Sequence, residues 1–292
     1  MELSHLLLAL LVVVTWGVNF VIMKIGLHGF PPLFLCALRF LMVSIPAVFF
    51  LPRPRASWRL IAAYGLATFA FQFGFMFTGI YIGMPPGLAS LVLQTQAFFT
   101  MGLAALFFGE RPGMWKILGA LVSFAGICIV AYNAQATAIL SGFLLTLLAA
   151  VSWASGNTAS KRIGASSPLA LVVWGSLVAF PPMLVLSLVV EGPAAIATSF
   201  AQLEWSTVGA VLYLVFLSTH FGYSVWGYLL NKYPSATIAP FSLLIPVFGF
   251  LSSALFLGEE LPMWKIGASL LVIAGLCMNV FEARVRRLLA RY

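Results

Sequence analysis

The chain carries one stretch twice. Phe107-Phe108-Gly109-Glu110 is followed by Met114-Trp115-Lys116-Ile117 and Ala125-Gly126-Ile127-Cys128. Phe256-Leu257-Gly258-Glu259 is followed by Met263-Trp264-Lys265-Ile266 and Ala274-Gly275-Leu276-Cys277, each match 149 positions further on. A repeat of this length implies internal duplication, which sets the architecture before local propensity does.

The duplicated unit is built from membrane spans. Only 8% of the residues are charged and 62% are hydrophobic, whereas a soluble domain has roughly 25% charged residues to coat its surface. A bilayer-crossing helix needs about 20 apolar residues. Ten such spans are predicted, at 4–24, 32–51, 59–82, 87–108, 114–132, 139–160, 168–190, 206–230, 235–257 and 262–281. The first is read as a retained span, since no basic residue precedes its apolar run and no small-residue cleavage site follows it. The longest connection, Glu191 to Glu204, reads as a loop.

More matches extend the repeat. Trp16 and Lys24 align with Trp153 and Lys161 at a separation of 137, and Pro32 and Pro46 with Pro168 and Pro182 at 136. Phe73-Gly74-Phe75, Gly79 and Pro86 align with Phe221-Gly222-Tyr223, Gly227 and Pro234 at 148. Spans one to five therefore correspond to spans six to ten. Five is odd, so the second copy crosses the membrane in the opposite sense. The expected fold is an all-α polytopic membrane protein of ten transmembrane helices in two inverted five-helix repeats. The units run 1–133 and 137–282, with a basic tail at 283–292. Inverted repeats characterise many secondary transporters, whose sites lie near the midplane between the copies.

Charge sets the orientation. The net charge of +8 could point to nucleic acid, but the basic residues sit at span ends, where they fix topology. With both termini cytoplasmic, twelve Lys and Arg residues fall inside and two, Lys24 and Lys265, outside; Arg39 lies within span two. All seven acids are Glu, which excludes chemistry that depends on Asp. No Gly-Lys pair exists, so there is no phosphate-binding P-loop. Cys36, Cys128 and Cys277 lie in apolar runs and read as packing residues. No cofactor or metal site is expected.

The pattern resembles the EamA type of the drug/metabolite transporter superfamily. The resemblance rests on Trp16-Gly17-Val18-Asn19-Phe20, Pro31-Pro32-Leu33, Leu38-Arg39-Phe40, Gly83-Met84-Pro85 and the Gly87–Gln94 run. In the second half it rests on Ser152-Trp153-Ala154, Gly156-Asn157, Ile245-Pro246-Val247 and Gly258-Glu259-Glu260. It covers the whole chain. It implies an exporter of amino acids or related small metabolites in a bacterial plasma membrane, working by alternating access. Relatives that export drugs and aromatic compounds keep a broad-specificity exporter open as an alternative. A channel or a membrane scaffold is the alternative from a different class.

Polar groups in hydrocarbon are costly unless they are paired or face water, so those inside spans are the site candidates. Trp16 and Asn19 of span one and Trp153 and Asn157 of span six are near-equivalent in the two copies. They read either as facing walls of a cavity or as interhelical glue. Gln72 of span three aligns with His220 of span eight, and Tyr223 follows on that span. His220 is the candidate proton carrier if export is proton-coupled; downhill exchange fits the residues as well. Tyr81 reads as a gate or cavity residue. Gln94 aligns with Ser242 of span nine, which favours Gln94 over Gln96 as cavity-facing, because two residues on a helix turn about 200°. Arg39 reads as snorkelling, or as bonded to a helix end, rather than as a substrate clamp. Glu110 is expected to cap or to pair locally, with Lys116 for example. The expected partners are an amino-acid-like small molecule and the lipid bilayer, and a monomer is favoured.

Overall fold

The computed structural model describes residues 1–133, 137–164 and 167–289. Among these, ten helices are long and apolar enough to cross a bilayer: α1 (Leu3–Gly29), α2 (Pro32–Phe49), α3 (Trp58–Tyr81), α4 (Pro86–Phe108), α5 (Met114–Asn133), α6 (Ile139–Ile163), α7 (Pro168–Val190), α8 (Trp205–Lys232), α9 (Ala239–Leu257) and α10 (Met263–Glu282). Of the basic tail, the backbone continues the last helix to Leu289, and residues 290–292 lie outside the described residues. Leu3, Leu7 and Leu11 recur every fourth position on one exposed face of α1, as do Leu144 and Leu148 on α6. Exposed apolar stripes at this spacing are the surface that lipid covers.

The Gly-Glu motif marks how α4 and α9 end. Gly109 and Gly258 have φ of 66° and 64°, a left-handed conformation that glycine adopts without strain. The next amide then turns back, Glu110 N–H to Ala104 O at 3.4 Å and Glu259 N–H to Ser253 O at 3.2 Å. Proline opens α2, α4 and α7 at a first-turn position, where its missing N–H costs nothing.

Packing obeys the symmetry of the duplication. Helix α1 packs on α8 and α9, and its equivalent α6 packs on α3 and α4. The equivalent pairs α2–α7, α4–α9 and α5–α10 pack on each other, so the pseudo-two-fold axis runs between them. Ser123 Oγ donates to Val272 O at 2.9 Å, and these two residues are 149 apart. A Cβ on Gly119 would stand 2.5 Å from Gly275 O, and one on Gly126 would stand 2.7 Å from Ala268 O. These two contacts are images of each other. Without a hydrophobic force between helices in lipid, such close backbone approach is what holds the pair.

One connection departs from expectation. The segment read as a loop after α7 contains a helix, Pro193–Ala201, started by Gly192 at φ 83°. Glu191 is no mere loop charge. Its carboxylate accepts from Leu33 N–H at 2.7 Å and Phe34 N–H at 3.0 Å, so one half caps the N-terminus of a helix from the other. Glu110 also differs from expectation: it pairs with Lys161, while Lys116 pairs with Glu282 at 3.7 Å.

Replacing Gly275 with Leu should overpack the α5–α10 crossing and destabilise the protein by about 1–3 kcal/mol. Thermal unfolding in detergent checks this, with Gly267→Leu, where a Cβ meets open space, as the control that should change little.

Candidate functional site

Each half contributes a helix bearing an indole and an amide one turn apart, and the axis brings them to one place. A cavity of about 470 Å³ lies between α1, α3, α4, α6, α8 and α9, with one residue from α2. Eight of the ten candidate residues line it: Trp16, Asn19, Gln72, Gln94, Trp153, Asn157, Tyr223 and Ser242. The axis passes through it, because Gln94 Nε2 donates to Ser242 O at 3.4 Å and these two are equivalent positions.

The polar groups are held differently in the two halves. Asn157 Nδ2 donates to Gln96 Oε1 and to Thr100 Oγ1, both at 3.1 Å. Asn19 Nδ2 donates to Met23 Sδ at 3.3 Å, and its Oδ1, like Oε1 of Gln72, is buried without a partner in the protein. Trp16 Nε1 donates to Ser218 O at 2.9 Å, and its ring lies 5.5 Å from Tyr223 and 5.3 Å from Trp226. The wall is thus aromatic, with a few amides and hydroxyls, a composition suited to a small amphipathic solute.

Two candidates are elsewhere. Tyr81 is 56% exposed at the end of α3, away from the cavity lining. His220 stacks on exposed Phe216, ring centres 5.9 Å apart, and does not line the cavity. Its placement follows from winding: Tyr213–Phe221 is a π-helix, so projection at α-helical spacing misplaces residues through it. Its equivalent Gln72 follows a shorter π segment, Leu66–Phe71, and does line the cavity.

Several residues escape a reading by sequence alone. Gln96 lines the cavity together with Gln94, because the helix tightens to 3-10 winding at Leu93–Thr95 between them. Trp226 and Ser218 complete the aromatic wall. Arg39 does not snorkel: it is 2% exposed and lines the cavity, and its Nη2 bonds the Thr219 side chain at 3.0 Å rather than a helix end.

The cavity is lopsided along the membrane normal. It reaches Leu230 and Ala239, near the face that carries the termini. Towards the opposite face it ends at Met23 and Ser90, each 1% exposed, whereas Leu230 is 38% exposed; Ile82 and Leu91, the equivalents of Leu230 and Ala239, do not line it. On that far side every residue from Pro86 to Thr95 is buried. There α3 and α6 meet backbone to backbone, a Cβ on Gly142 lying 2.8 Å from Gly79 O. Towards the termini, α1 and α8 meet through side chains instead, His5 bonding the hydroxyls of Tyr233 at 2.9 Å and Tyr228 at 3.1 Å.

Inverted five-helix halves around a one-sided aromatic cavity with a few polar groups are the architecture of a membrane transporter. The comparisons with known proteins agree: the EamA-like transporter family profile matches residues 3–132 and again 140–281, and the chain belongs to that family. It is 47% identical over 287 residues to the "probable amino-acid metabolite efflux pump" of Salmonella typhimurium and 44% identical to that of Escherichia coli, with 96% of each chain covered in both cases. It is 26% identical to the "probable terminal-alkyne amino-acid exporter" of Streptantibioticus cattleyicolor, over 95% of this chain and 94% of that one. A crystal structure at 19% identity shares the fold, with a TM-score of 0.66 over 97% of this chain and 98% of the other. The protein is a multi-pass membrane transporter.

The lopsided cavity gives a labelling pattern. In a background with the three native cysteines replaced, Leu230→Cys and Ala239→Cys should react with a membrane-impermeant maleimide supplied from the termini face. Leu91→Cys should stay unreactive. Protein mass after labelling of oriented vesicles measures it.

Proposed function

We propose that this transporter exports amino acids or related small metabolites from the cytoplasm by alternating access. Both termini lie in the cytoplasm of a bacterial inner membrane, and the protein acts as a monomer. The observation that carries the reading is the one-sided cavity: with the termini inside, it opens to the cytoplasm and is sealed from the outside. The printed names of the relatives at 47%, 44% and 26% identity support the substrate class. The twelve-to-two distribution of basic residues supports the orientation.

The seal has a chemical asymmetry that fits alternating access. Glu259, 10% exposed, accepts from Gly87 N–H at 3.1 Å and pairs with Lys265 at 2.9 Å. It thereby ties the end of α9 to the start of α4 on the closed face. Its equivalent Glu110 is 52% exposed and pairs with Lys161 instead. In the inverted state the roles exchange: Glu110 moves to the start of the segment after α8, and Glu259 is released. A barrier of this kind is a two-state equilibrium that the substrate shifts only through differential affinity.

Proton coupling through His220 is not favoured by this arrangement, since the ring stacks on Phe216 and does not line the cavity. Exchange driven by the substrate gradient fits better.

Counterflow of labelled amino acids in proteoliposomes tests the function. Asn19→Ala and Asn157→Ala should each reduce exchange about tenfold, the effect of losing roughly 1–3 kcal/mol when a buried polar partner is removed. His220→Ala should leave it close to wild type. Equal, unchanged rates for all three variants would remove the cavity from the mechanism. Separately, adding Glu259→Gln to the Leu91→Cys protein should loosen the seal, so that the introduced thiol becomes reactive; continued protection would show that the carboxylate is not the latch.

A further inference from the structure

A cation has been left inside the protein without an anion. Arg39 is 2% exposed and, among the described residues, makes no ion pair. Its Nη2 donates to Thr219 Oγ1 at 3.0 Å. Its guanidinium carbon sits 4.2 Å from the centre of the Phe73 ring and 5.5 Å from that of Phe40. Its Nε and Nη1 have no hydrogen-bond partner in the protein. Burying a charge in this way is strongly unfavourable unless it is paired, and ring faces recover only a fraction of the loss. Because the residue lines the cavity, the missing partner can be a solute.

Two further orphans share the cavity and have the opposite polarity. Asn19 Oδ1 and Gln72 Oε1 are buried acceptors without a donor in the protein, and both residues line the same space. Unpaired cationic donors and unpaired neutral acceptors together form the complement of a zwitterion. A carboxylate would meet one of these two nitrogens together with the second N–H of Nη2, in either of the two forks, Nε with Nη2 or Nη1 with Nη2, that guanidinium offers a carboxylate. An ammonium carries three donors and no acceptor, which is what two amide oxygens need. A neutral aromatic compound would fill the volume and leave all these groups unpaired.

We propose that Arg39 is the carboxylate-binding residue of the cavity, that the amide oxygens of Asn19 and Gln72 take the ammonium, and that the substrates are therefore zwitterionic amino acids with both groups free. The assignment rests on the reading of this cavity as the transport site. The repeat supplies an independent mark of it. Arg39 aligns, at the separation of 136 that relates the flanking prolines, with Gly175, so the charge has no counterpart in the other half. A residue needed only to glue symmetric helices would be expected in both.

The test compares L-serine, L-leucine and L-phenylalanine with their carboxamides, by counterflow in proteoliposomes and by ligand-induced thermal shift in detergent. The wild type should exchange at least one of the acids and bind its carboxamide about 30-fold more weakly or worse, as for loss of one partner of a buried charge pair. Arg39→Gln should abolish that discrimination, binding acid and amide alike, while Arg39→Lys should keep part of it. Equal binding of acid and amide by the wild type overturns the assignment without any variant, so a misfolded Arg39→Gln leaves it testable. Preference retained in Arg39→Gln overturns it too. Exchange without discrimination sinks only the assignment; no exchange of any of the three acids by the wild type sinks the export reading and the assignment with it.

Discussion

The structure depends on a meeting of equivalents. An odd number of spans per copy turns the second copy over, and two inverted copies can join only around an axis in the membrane plane. Residues near that axis must face their own images. Ser123 bonds Val272, 149 positions away, and Gln94 bonds Ser242, 148 away. The first contact sits in the α5–α10 pair and the second in the cavity. The same relation therefore builds a crossing of backbones where glycine permits it and a binding space where amides line it.

In lipid, glycine contacts decide which end of that space is shut. Helices exposed to hydrocarbon gain little from burying leucine against leucine, so closure comes from backbone approach and from polar bonds. On the closed side Gly79 meets Gly142, and Glu259 binds a free amide at the start of α4. On the other side the equivalent carboxylate is engaged with Lys161, and α1 and α8 are bridged by the tyrosine–histidine cluster rather than by backbone approach. Both sets use the same sequence positions or their near neighbours. The two faces of the duplicated scaffold thus differ in local contacts made at equivalent or nearly equivalent positions.

Much of this is legible in the residues. The ten spans agree with their predicted bounds to within a few positions, because hydrocarbon thickness dictates span length and hydropathy reports it directly. The inversion follows from counting. Eight cavity residues follow from the cost of polar groups in lipid, which leaves them facing either one another or a cavity. The failures at His220 and Gln96 share a cause: π and 3-10 winding in α8 and α4 breaks the angular rule that assigns a helix face. The helix Pro193–Ala201 escapes notice because small residues between Gly192 and Gln202 carry no periodic signal. Arg39 departs from expectation because snorkelling is the usual fate of an arginine in a membrane span, and only burial distinguishes a residue that does not reach the headgroups.

That arginine also separates access from orientation, two properties that exact symmetry would treat alike. The gates come in pairs, so the scaffold by itself favours neither direction. The guanidinium comes once, on α2, and the matching position on α7 is a glycine, where a Cβ would meet the rings of Phe69 and Tyr64 at 2.7 and 3.0 Å. A single charge in a two-fold cavity cannot make the two openings rank differently for the same bound solute unless it moves between them. What it can do is fix which end of a dipolar solute points at α2. On the reading proposed above, the duplication then supplies access from both faces, and the departure from duplication supplies the orientation of what is carried.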